Sequence, residues 1–327
     1  MADPTSPDPS NVESENDGAD ETVADEQQPE PTFVDLYAGL ALDADEALAV
    51  TLRYPAHLVV FAGGEGSGKT TILATIYENL VQGPFAGFRF AGSRSLSGFE
   101  QICHHNRIAS GNAKPETART HASETRTFYH LALAREDEAS GATHRHILLA
   151  AVSGERFRLA RDSAEDCAML SFIPRADVVV VLVDGEKLAG QQTRENALAD
   201  AAGILDSFVD DGVLGCSTRV EIAFSKHDCI EADGRVAEEF LQKAEKRLRS
   251  RFSSRLPDLS FRKIAARPEV APAECDKGFL DAFNSWIATS PESSSSLAPD
   301  AWESVGEREF SDFRRRYELV QRRVENG

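Results

Sequence analysis

The sequence predicts an α/β protein of three layers, in which a mainly parallel sheet is covered by helices on both faces. Two observations lead to this fold class. From Phe33 onward, short apolar runs rich in β-branched residues alternate with longer stretches of helical periodicity. Most runs are apolar along their whole length, as expected for parallel strands that are buried on both faces.

The first strand and the helix after it are the clearest elements. The run at 57–62 is almost entirely apolar and leads without a break into a glycine-rich segment. A helix at 70–80 follows. Its apolar residues recur at helical spacing and lie on one face: Ile72, Leu73, Ile76, Tyr77 and Leu80.

The rest of the chain continues the alternation of strands and helices. Further strands are predicted at 85–90, 126–134, 146–152, 177–183, 220–224 and 261–265. Helices are predicted between most of them, at 155–170, 194–209, 235–252 and 276–288. No internal repeat is visible.

The two ends of the chain depart from this pattern. Residues 1–31 hold ten Asp or Glu and no Lys or Arg, which accounts for −10 of the net charge of −19. This composition predicts a disordered acidic tail. Residues 32–290 are the predicted domain, 291–302 a linker, and 303–327 a C-terminal amphipathic helix. The apolar stripe of that helix favours packing on its own domain over binding a partner: Phe310, Phe313, Tyr317, Val320 and Val324.

Composition argues against several classes of function. No apolar run reaches the roughly 18 residues that span a bilayer, and the acidic N-terminus lacks the pattern of a secretion signal. The five cysteines form no C-x-x-C pair, so neither a zinc site nor a disulfide framework is indicated. Acidic surface opposes nonspecific binding to nucleic acid or anionic membrane. We therefore expect a cytoplasmic protein that binds neither nucleic acid nor membrane.

The segment Gly63-Gly64-Glu65-Gly66-Ser67-Gly68-Lys69-Thr70 has the phosphate-loop pattern, in its required setting of strand, loop and helix. Its glycines let successive backbone N–H groups point at phosphate oxygens, and the helix that starts there adds its positive end. We expect Lys69 to reach the β- and γ-phosphates and the Thr70 hydroxyl to bind Mg²⁺. The predicted nucleotide-binding residues here are Gly63, Gly64, Glu65, Gly66, Ser67, Gly68, Lys69, Thr70 and Thr71. A glycine-rich turn without a ligand is the alternative.

A second segment bears on the choice of base. Ser225-Lys226-His227-Asp228 follows the strand at 220–224 and resembles the Asn/Thr-Lys-x-Asp pattern of GTPases. There Asp228 would accept hydrogen bonds from the guanine N1–H and amino group, a donor pair that adenine lacks. Lys226 would lie along the base, and Ala266 in Ala265-Ala266-Arg267 would complete the base site. The alternative is a polar strand end with Asp228 as a helix cap.

A third segment is expected to contact the γ-phosphate. The strand at 146–152 leads into Ser153-Gly154-Glu155, where the Gly154 N–H is placed to meet that phosphate. The aspartate that normally orients Mg²⁺ is replaced by Ala151. Asp184, at the end of a neighbouring strand, is a possible substitute, although a structural role or one near the base is favoured. The candidate catalytic residues are Lys69, Gly154 and Glu155.

With these segments in order, the chain resembles a P-loop GTPase of the translation-factor-related class, and within it the bacterial double-GTPase family. The resemblance covers about residues 50–290. It implies a Ras-like α/β/α P-loop domain that binds GTP and Mg²⁺. It also implies a role as a switch or adaptor with a protein effector or regulator. Ala151 departs from the pattern and argues against fast hydrolysis.

A threonine that closes over Mg²⁺ is expected between the first helix and the strand at 126–134. Thr120 fits best, preceded by Arg119, although an ordinary surface loop explains residues 109–127 equally well. Arg119 or Arg126 is a candidate arginine finger. His104 and His105 have no ligand partners at metal-binding spacing, so no metal site is predicted there.

Taken together, the motifs predict a GTP-binding P-loop protein that acts as a switch with slow or partner-activated hydrolysis. Two alternatives stay open. The protein is an ATPase if Ser225–Asp228 is only a loop, or a nucleotide-binding scaffold that never turns over, for which Ala151 is the best support. A nucleotide kinase is disfavoured because the arginines of residues 109–161 lack the spacing of a lid.

Overall fold

A computed structural model describes residues 39–104, 127–135, 144–268 and 277–288. The strands are β1 Ala56–Ala62, β2 Phe88–Gly92, β3 Phe128–Arg135, β4 Arg145–Ala151, β5 Val178–Asp184, β6 Arg219–Ser225 and β7 Ser260–Lys263. The helices are α1 Ala44–Arg53, α2 Lys69–Gln82, α3 Leu96–His104, α4 Gly154–Asp162, α5 Ala164–Ala168, α6 Gly185–Ala189, α7 Arg194–Asp210, α8 His227–Asp233, α9 Arg235–Phe252 and α10 Lys277–Ile287. The predicted tail at 1–31, the linker at 291–302, the helix at 303–327 and Thr120 lie outside the described residues.

The seven strands form one sheet in the order β2-β3-β4-β1-β5-β6-β7. Neighbouring strands from β4 to β7 run parallel, whereas β3 runs antiparallel to both β2 and β4. The prediction of a mainly parallel α/β sheet is therefore confirmed. Because β1 lies between β4 and β5, the carboxyl ends of those two strands flank the loop that follows β1.

Helices cover the sheet on both faces and create two apolar cores. Alternate side chains of β1 enter different cores: Leu58 and Val60 face α1, α4, α7 and α9, while Val59 and Phe61 face α2, α3 and α10. This alternation is the period of two that a strand imposes. The three layers that the sequence predicts are confirmed.

The C-terminal turn of α10 is tied to the edge of the sheet where the parallel strands begin. The indole nitrogen of Trp286 donates to the buried carboxylate of Glu221 at 2.7 Å. Three basic side chains from β1, β4 and β6 donate to carbonyl oxygens of residues 285–288 at 2.7–3.1 Å: His57, Arg145 and Arg219. These donors satisfy carbonyls that have no partner within the helix, and the charges of Arg145 and Arg219 also suit its negative end.

Several element boundaries differ from the prediction. The strand predicted at 85–90 begins only at Phe88, because Ala86 and Gly87 have positive φ values of 56° and 78° and make a tight turn. The helix predicted at 155–170 breaks into α4 and α5 at Ser163, whose extended backbone and side chain start the second helix. The helix α1 was not predicted, although Asp43 and Glu46 form a capping box at its start.

No helix of the described ranges combines the length and the apolar composition required to cross a bilayer.

Candidate nucleotide-binding site

The phosphate loop connects the central strand β1 to α2, and its shape depends on three glycines. Gly63, Gly66 and Gly68 have φ values of 153°, 79° and 91°, which side chains of L-residues rarely tolerate. A Cβ on Gly63 would lie 2.8 Å from the Ser67 Oγ and 3.0 Å from the Leu182 carbonyl oxygen. The loop is therefore a tightly curled backbone that only this glycine spacing permits.

Lys69, the first residue of α2, is buried beneath the loop. Its Nζ donates to the carbonyl oxygens of Gly63 and Gly64, both at 2.8 Å. Burial lowers the pKa of Lys69 from 10.5 to about 8, with the charge of Glu65 opposing this shift and that of Lys187 adding to it. An anion that enters the loop would attract this ammonium group, offset the free-energy cost of its burial and favour its charged form.

Helix α2 begins inside the loop without a side-chain cap. Its N-cap residue is Gly68, which has no side chain to accept hydrogen bonds from the first turn. Thr70 and Thr71, in that first turn, are half-buried. A helix start of this kind directs backbone N–H groups and a positive dipole end toward an anion.

Gly154, the predicted γ-phosphate contact, lies directly against the phosphate loop. It is the first residue of α4, whose N-cap Ser153 accepts a hydrogen bond from the Arg156 N–H at 3.3 Å. A Cβ on Gly154 would lie only 2.3 Å from the Glu65 nitrogen. Glu155, in the next position, is exposed. The structure thus brings the third segment to the loop, with Ala151 buried at the end of β4 beside β1.

The predicted base segment lies at the carboxyl end of β6. Lys226 takes a left-handed conformation, with φ 48° and ψ 45°, and Asp228 follows it in the first turn of α8. The backbone N–H of His227 donates to the Ile264 carbonyl at 3.1 Å. That bond joins the base segment to the end of β7, where Ala266 follows. A left-handed residue other than glycine is uncommon and costly, and Lys226 shares this conformation with Ala86 among the described residues.

Asp184 lies on the base side of the phosphate loop. It ends β5, beside Ser225 of β6 in register, and its carboxylate accepts the Glu186 N–H at 3.1 Å to cap α6. Lys226 Nζ pairs with the same carboxylate at 3.1 Å. The carboxylate therefore has two partners here, away from Ala151 at the end of β4.

Sequence reasoning missed the other residues of the turn from Asp184 to Lys187. Gly185, Glu186 and Lys187 all contact one of the two predicted nucleotide-binding segments. Their contacts join residues about 40 or 120 positions apart, so no local pattern reveals them. The one available signal was the position of Asp184 at the end of a buried strand.

The structure describes only some of the residues that were predicted to lie at a metal. Thr70 lies at the start of α2, whereas Thr120 and the candidate fingers Arg119 and Arg126 lie outside the described residues. Among the described residues, no group of three or more His, Cys, Asp or Glu side chains is arranged to hold a metal ion. Of the two predicted metal ligands, Thr70 is the one that the structure describes.

Similar solved structures are distant in sequence. The GTP-bound SRb/SRX complex of the signal recognition particle receptor from Chaetomium thermophilum aligns at 16% identity over 70% of this chain and 97% of that chain, with a TM-score of 0.39. The Ski7 GTPase-like domain of S. cerevisiae, bound to GTP, aligns at 13% identity over 76% of this chain and 52% of that chain, with a TM-score of 0.41. No curated protein matches the chain.

The family is identified by the sequence model that matches most of the chain. That model describes Double-GTPase 2, and it matches residues 57–287, from the start of β1 to the end of α10. The matched range includes the phosphate loop, Gly154 and the segment Ser225–Asp228. The chain therefore belongs to the Double-GTPase 2 family of GTP-binding proteins.

Proposed function

We propose that this protein is a GTP-binding switch whose hydrolysis is slow or requires a partner. One observation carries the proposal. The phosphate loop, Gly154 and the segment Ser225–Asp228 follow β1, β4 and β6, which are parallel, so all three lie at the same edge of the sheet. Ligands of open α/β sheets bind at this carboxyl edge.

Guanine selectivity is assigned to Asp228, supported by Lys226 and Ala266. A carboxylate accepts the guanine N1–H and amino group together, and adenine presents no such pair of donors. The left-handed backbone at Lys226 supports this assignment, because it turns the chain sharply between the end of β6 and the start of α8. If Asp228 only caps α8, the protein is an ATPase instead.

The residues around the loop fit a magnesium-bound triphosphate in part. The curled backbone of Gly63–Gly68 and the ammonium of Lys69 suit the β- and γ-phosphates, and Thr70 would supply a metal ligand. Magnesium, when bound, neutralises charge that develops on those phosphates. Ala151 does not fit this ligand, because it places a buried methyl group where a carboxylate would orient the metal. Thr120 is the proposed closing ligand.

Hydrolysis requires a water oxygen to bond to the γ-phosphorus while the bond to the β,γ-bridging oxygen breaks and GDP leaves. The Gly154 N–H and Lys69 would stabilise the oxygens of the transferred group. Glu155 is a carboxylate, and it repels the γ-phosphate unless it is protonated or paired with a cation. A protein regulator that supplies an arginine is therefore the expected route to faster turnover.

Competition binding tests the nucleotide assignment. Purified protein is titrated with a fluorescent GTP analogue, and unlabelled GTP, GDP and ATP are compared as competitors. We expect GTP and GDP to compete at concentrations at least tenfold lower than ATP. Equal competition by ATP would support the ATPase alternative, and no competition by any nucleotide would refute the phosphate-loop assignment.

The scaffold alternative is tested by turnover, since Ala151 is the observation in its favour. Protein in excess over radiolabelled GTP is followed for several hours with Mg²⁺ present. Release of phosphate that follows one slow exponential supports the switch. Intact GTP at the end fits either a scaffold or a switch that requires a partner, and adding a captured partner protein separates the two, because only the switch then releases phosphate. Capture of proteins by the form loaded with a non-hydrolysable GTP analogue, and not by the GDP form, would identify an effector or regulator.

A further inference from the structure

The turn from Asp184 to Lys187 contacts both nucleotide-binding segments. It consists of the last residue of β5 and the first three residues of α6, and it lies between the phosphate loop, which follows β1, and the base segment at the end of β6. Asp184 is 6% exposed, so its carboxylate has little access to water. A buried carboxylate is retained only where charged or hydrogen-bonding partners compensate for its desolvation.

The contacts with the base segment are ionic and close. Lys226 Nζ pairs with the Asp184 Oδ1 at 3.1 Å and with the Glu186 Oε2 at 2.7 Å. Burial disfavours the charged form of Lys226, but the hydrogen bonds and charges of Glu186 and Asp184 outweigh it and raise the pKa of Lys226. A Cβ on Gly185 would lie 2.1 Å from the Ser225 carbonyl oxygen, so the two backbones touch.

The contacts with the phosphate loop are made by the same turn. Lys187 Nζ donates to the Glu65 carbonyl oxygen at 3.1 Å. The Asp184 Oδ2 lies 3.7 Å from the position that a Cβ on Gly66 would occupy. The turn therefore sets the distance between the phosphate loop and the base segment, which would hold opposite ends of one nucleotide.

We propose that Asp184 is a positioning residue for the guanine base. By holding Lys226 against a turn that also touches the phosphate loop, it fixes the base segment at the distance that a single guanine nucleotide spans. The strained left-handed backbone of Lys226 then persists because its side chain is anchored. This inference rests on the proposed function, since it concerns the same nucleotide site.

The main variant is Asp184→Asn. Asparagine keeps the size of the side chain and its ability to cap α6, and it removes the charge that pairs with Lys226. We expect affinity for GTP to fall about tenfold, the effect of losing a charge-assisted hydrogen bond. Affinities for ATP and for inorganic tripolyphosphate are expected to stay within about twofold, because neither ligand uses the base segment in this scheme.

The matched control is Glu186→Gln, which removes the other partner of Lys226. The Glu186 side chain is 68% exposed. Water replaces the lost interaction there, so the affinity for GTP should change by less than about threefold. An effect as large as that of Asp184→Asn would overturn the role given to the buried carboxylate.

Thermal melting of the nucleotide-free protein shows whether Asp184→Asn folds. If it does not fold, Lys226→Gln alone tests the pairing: the GTP/ATP affinity ratio should fall, and an unchanged ratio would overturn the proposal. If it folds, adding Lys226→Gln to Asp184→Asn should lower that ratio no further. If Asp184→Asn lowers the affinities for GTP, ATP and tripolyphosphate equally, Asp184 has only a structural role and the proposal is overturned. Unchanged affinity for GTP in this variant would also overturn it. Wild-type protein that binds GTP and ATP equally would instead refute the proposed function, before any variant is compared.

Discussion

The backbones of Gly154 and Glu65 are in direct contact where α4 packs against the phosphate loop. A Cβ on Gly154 would lie 2.3 Å from the Glu65 nitrogen and 2.6 Å from the Gly64 carbonyl carbon. No real side chain occupies such a position, so either α4 or the loop must shift to admit one. Glycine at 154 is therefore required by packing, independently of any contact that its N–H makes with a phosphate.

The first prediction follows from this contact. Gly154→Ala should displace the loop or α4, lower the free energy of unfolding by about 1–3 kcal/mol, and weaken nucleotide binding at least tenfold. Gly83→Ala is the control, because its Cβ would meet nothing within 4 Å and its φ of 166° is extended. Urea unfolding and fluorescent-nucleotide titration measure the two effects. Equal behaviour of the two variants would contradict the packing argument.

The second prediction concerns Lys69 and pH. Its pKa in the folded protein is about 8, below the ordinary value of 10.5, so between these values the unfolded chain binds more protons. Without nucleotide, the contribution of Lys69 to stability therefore rises with pH across this window. Phosphate binding favours the charged ammonium group, so nucleotide affinity should fall as the pH rises above 8 and binding should take up a proton.

Calorimetry at pH 8.5–9 in buffers of different ionisation enthalpy measures the proton uptake. Lys69→Ala is expected to melt within a few degrees of the wild type and to lose measurable GTP binding, because the flexible cation beneath the loop is gone. A wild-type protein with no proton uptake in this range would contradict the burial of a titrating Lys69. Unchanged GTP affinity in Lys69→Ala would exclude the loop as the phosphate site.

The third prediction tests the base. Asp228→Asn exchanges a carboxylate for an amide that presents a donor as well as an acceptor, so the GTP preference over ATP should narrow by about 1–3 kcal/mol. Asp258→Asn, in the turn before β7, is a control with the same chemical change and an exposed position. Competition titrations give the affinity ratio. A ratio unchanged by Asp228→Asn would mean that this residue does not select the base.

The fourth prediction concerns Ala151 and the rate of hydrolysis. Wild-type protein alone should turn over GTP at about 10⁻³ per second or more slowly, as unassisted GTPases do. Ala151→Asp places a carboxylate in a site that is 2% exposed, so the nucleotide-free variant should be less stable than the wild type. Magnesium and GTP together should recover more of the melting temperature in the variant than in the wild type. Turnover of several per second by the wild type would contradict the slow-switch proposal.

The phosphate loop could be located from sequence because its determinants are local. Four glycines, a lysine and a hydroxyl at fixed spacing, between an apolar strand and a helix, leave few other structures for residues 63–70. The order of elements and the mainly parallel sheet followed from apolar runs of β-branched residues. The positions of Gly154 and of Ser225–Asp228 followed in turn, because both come at the ends of such runs.

The features that sequence reasoning missed depend on long-range packing. The need for glycine at 185 arises only when β5 and β6 bring the Ser225 carbonyl beside it. The antiparallel pairing of β3 with β4 could not be predicted from composition, because a buried strand is equally apolar in either direction. The break at Ser163 was overlooked because helical periodicity continues across it, although serine is a common first cap of a new helix.

The attachment of α10 decides how far the chain can be shortened. Its aromatic residues Phe279, Phe283 and Trp286 fill the core beneath Phe61, and Trp286 is one of the partners of the buried Glu221 carboxylate. A protein that stops at residue 268 would keep every predicted nucleotide-binding residue in the described ranges. It would nevertheless expose the underside of β1, the strand that carries the phosphate loop. Such a truncated chain should aggregate, and the shortest soluble form should extend at least to Ala288.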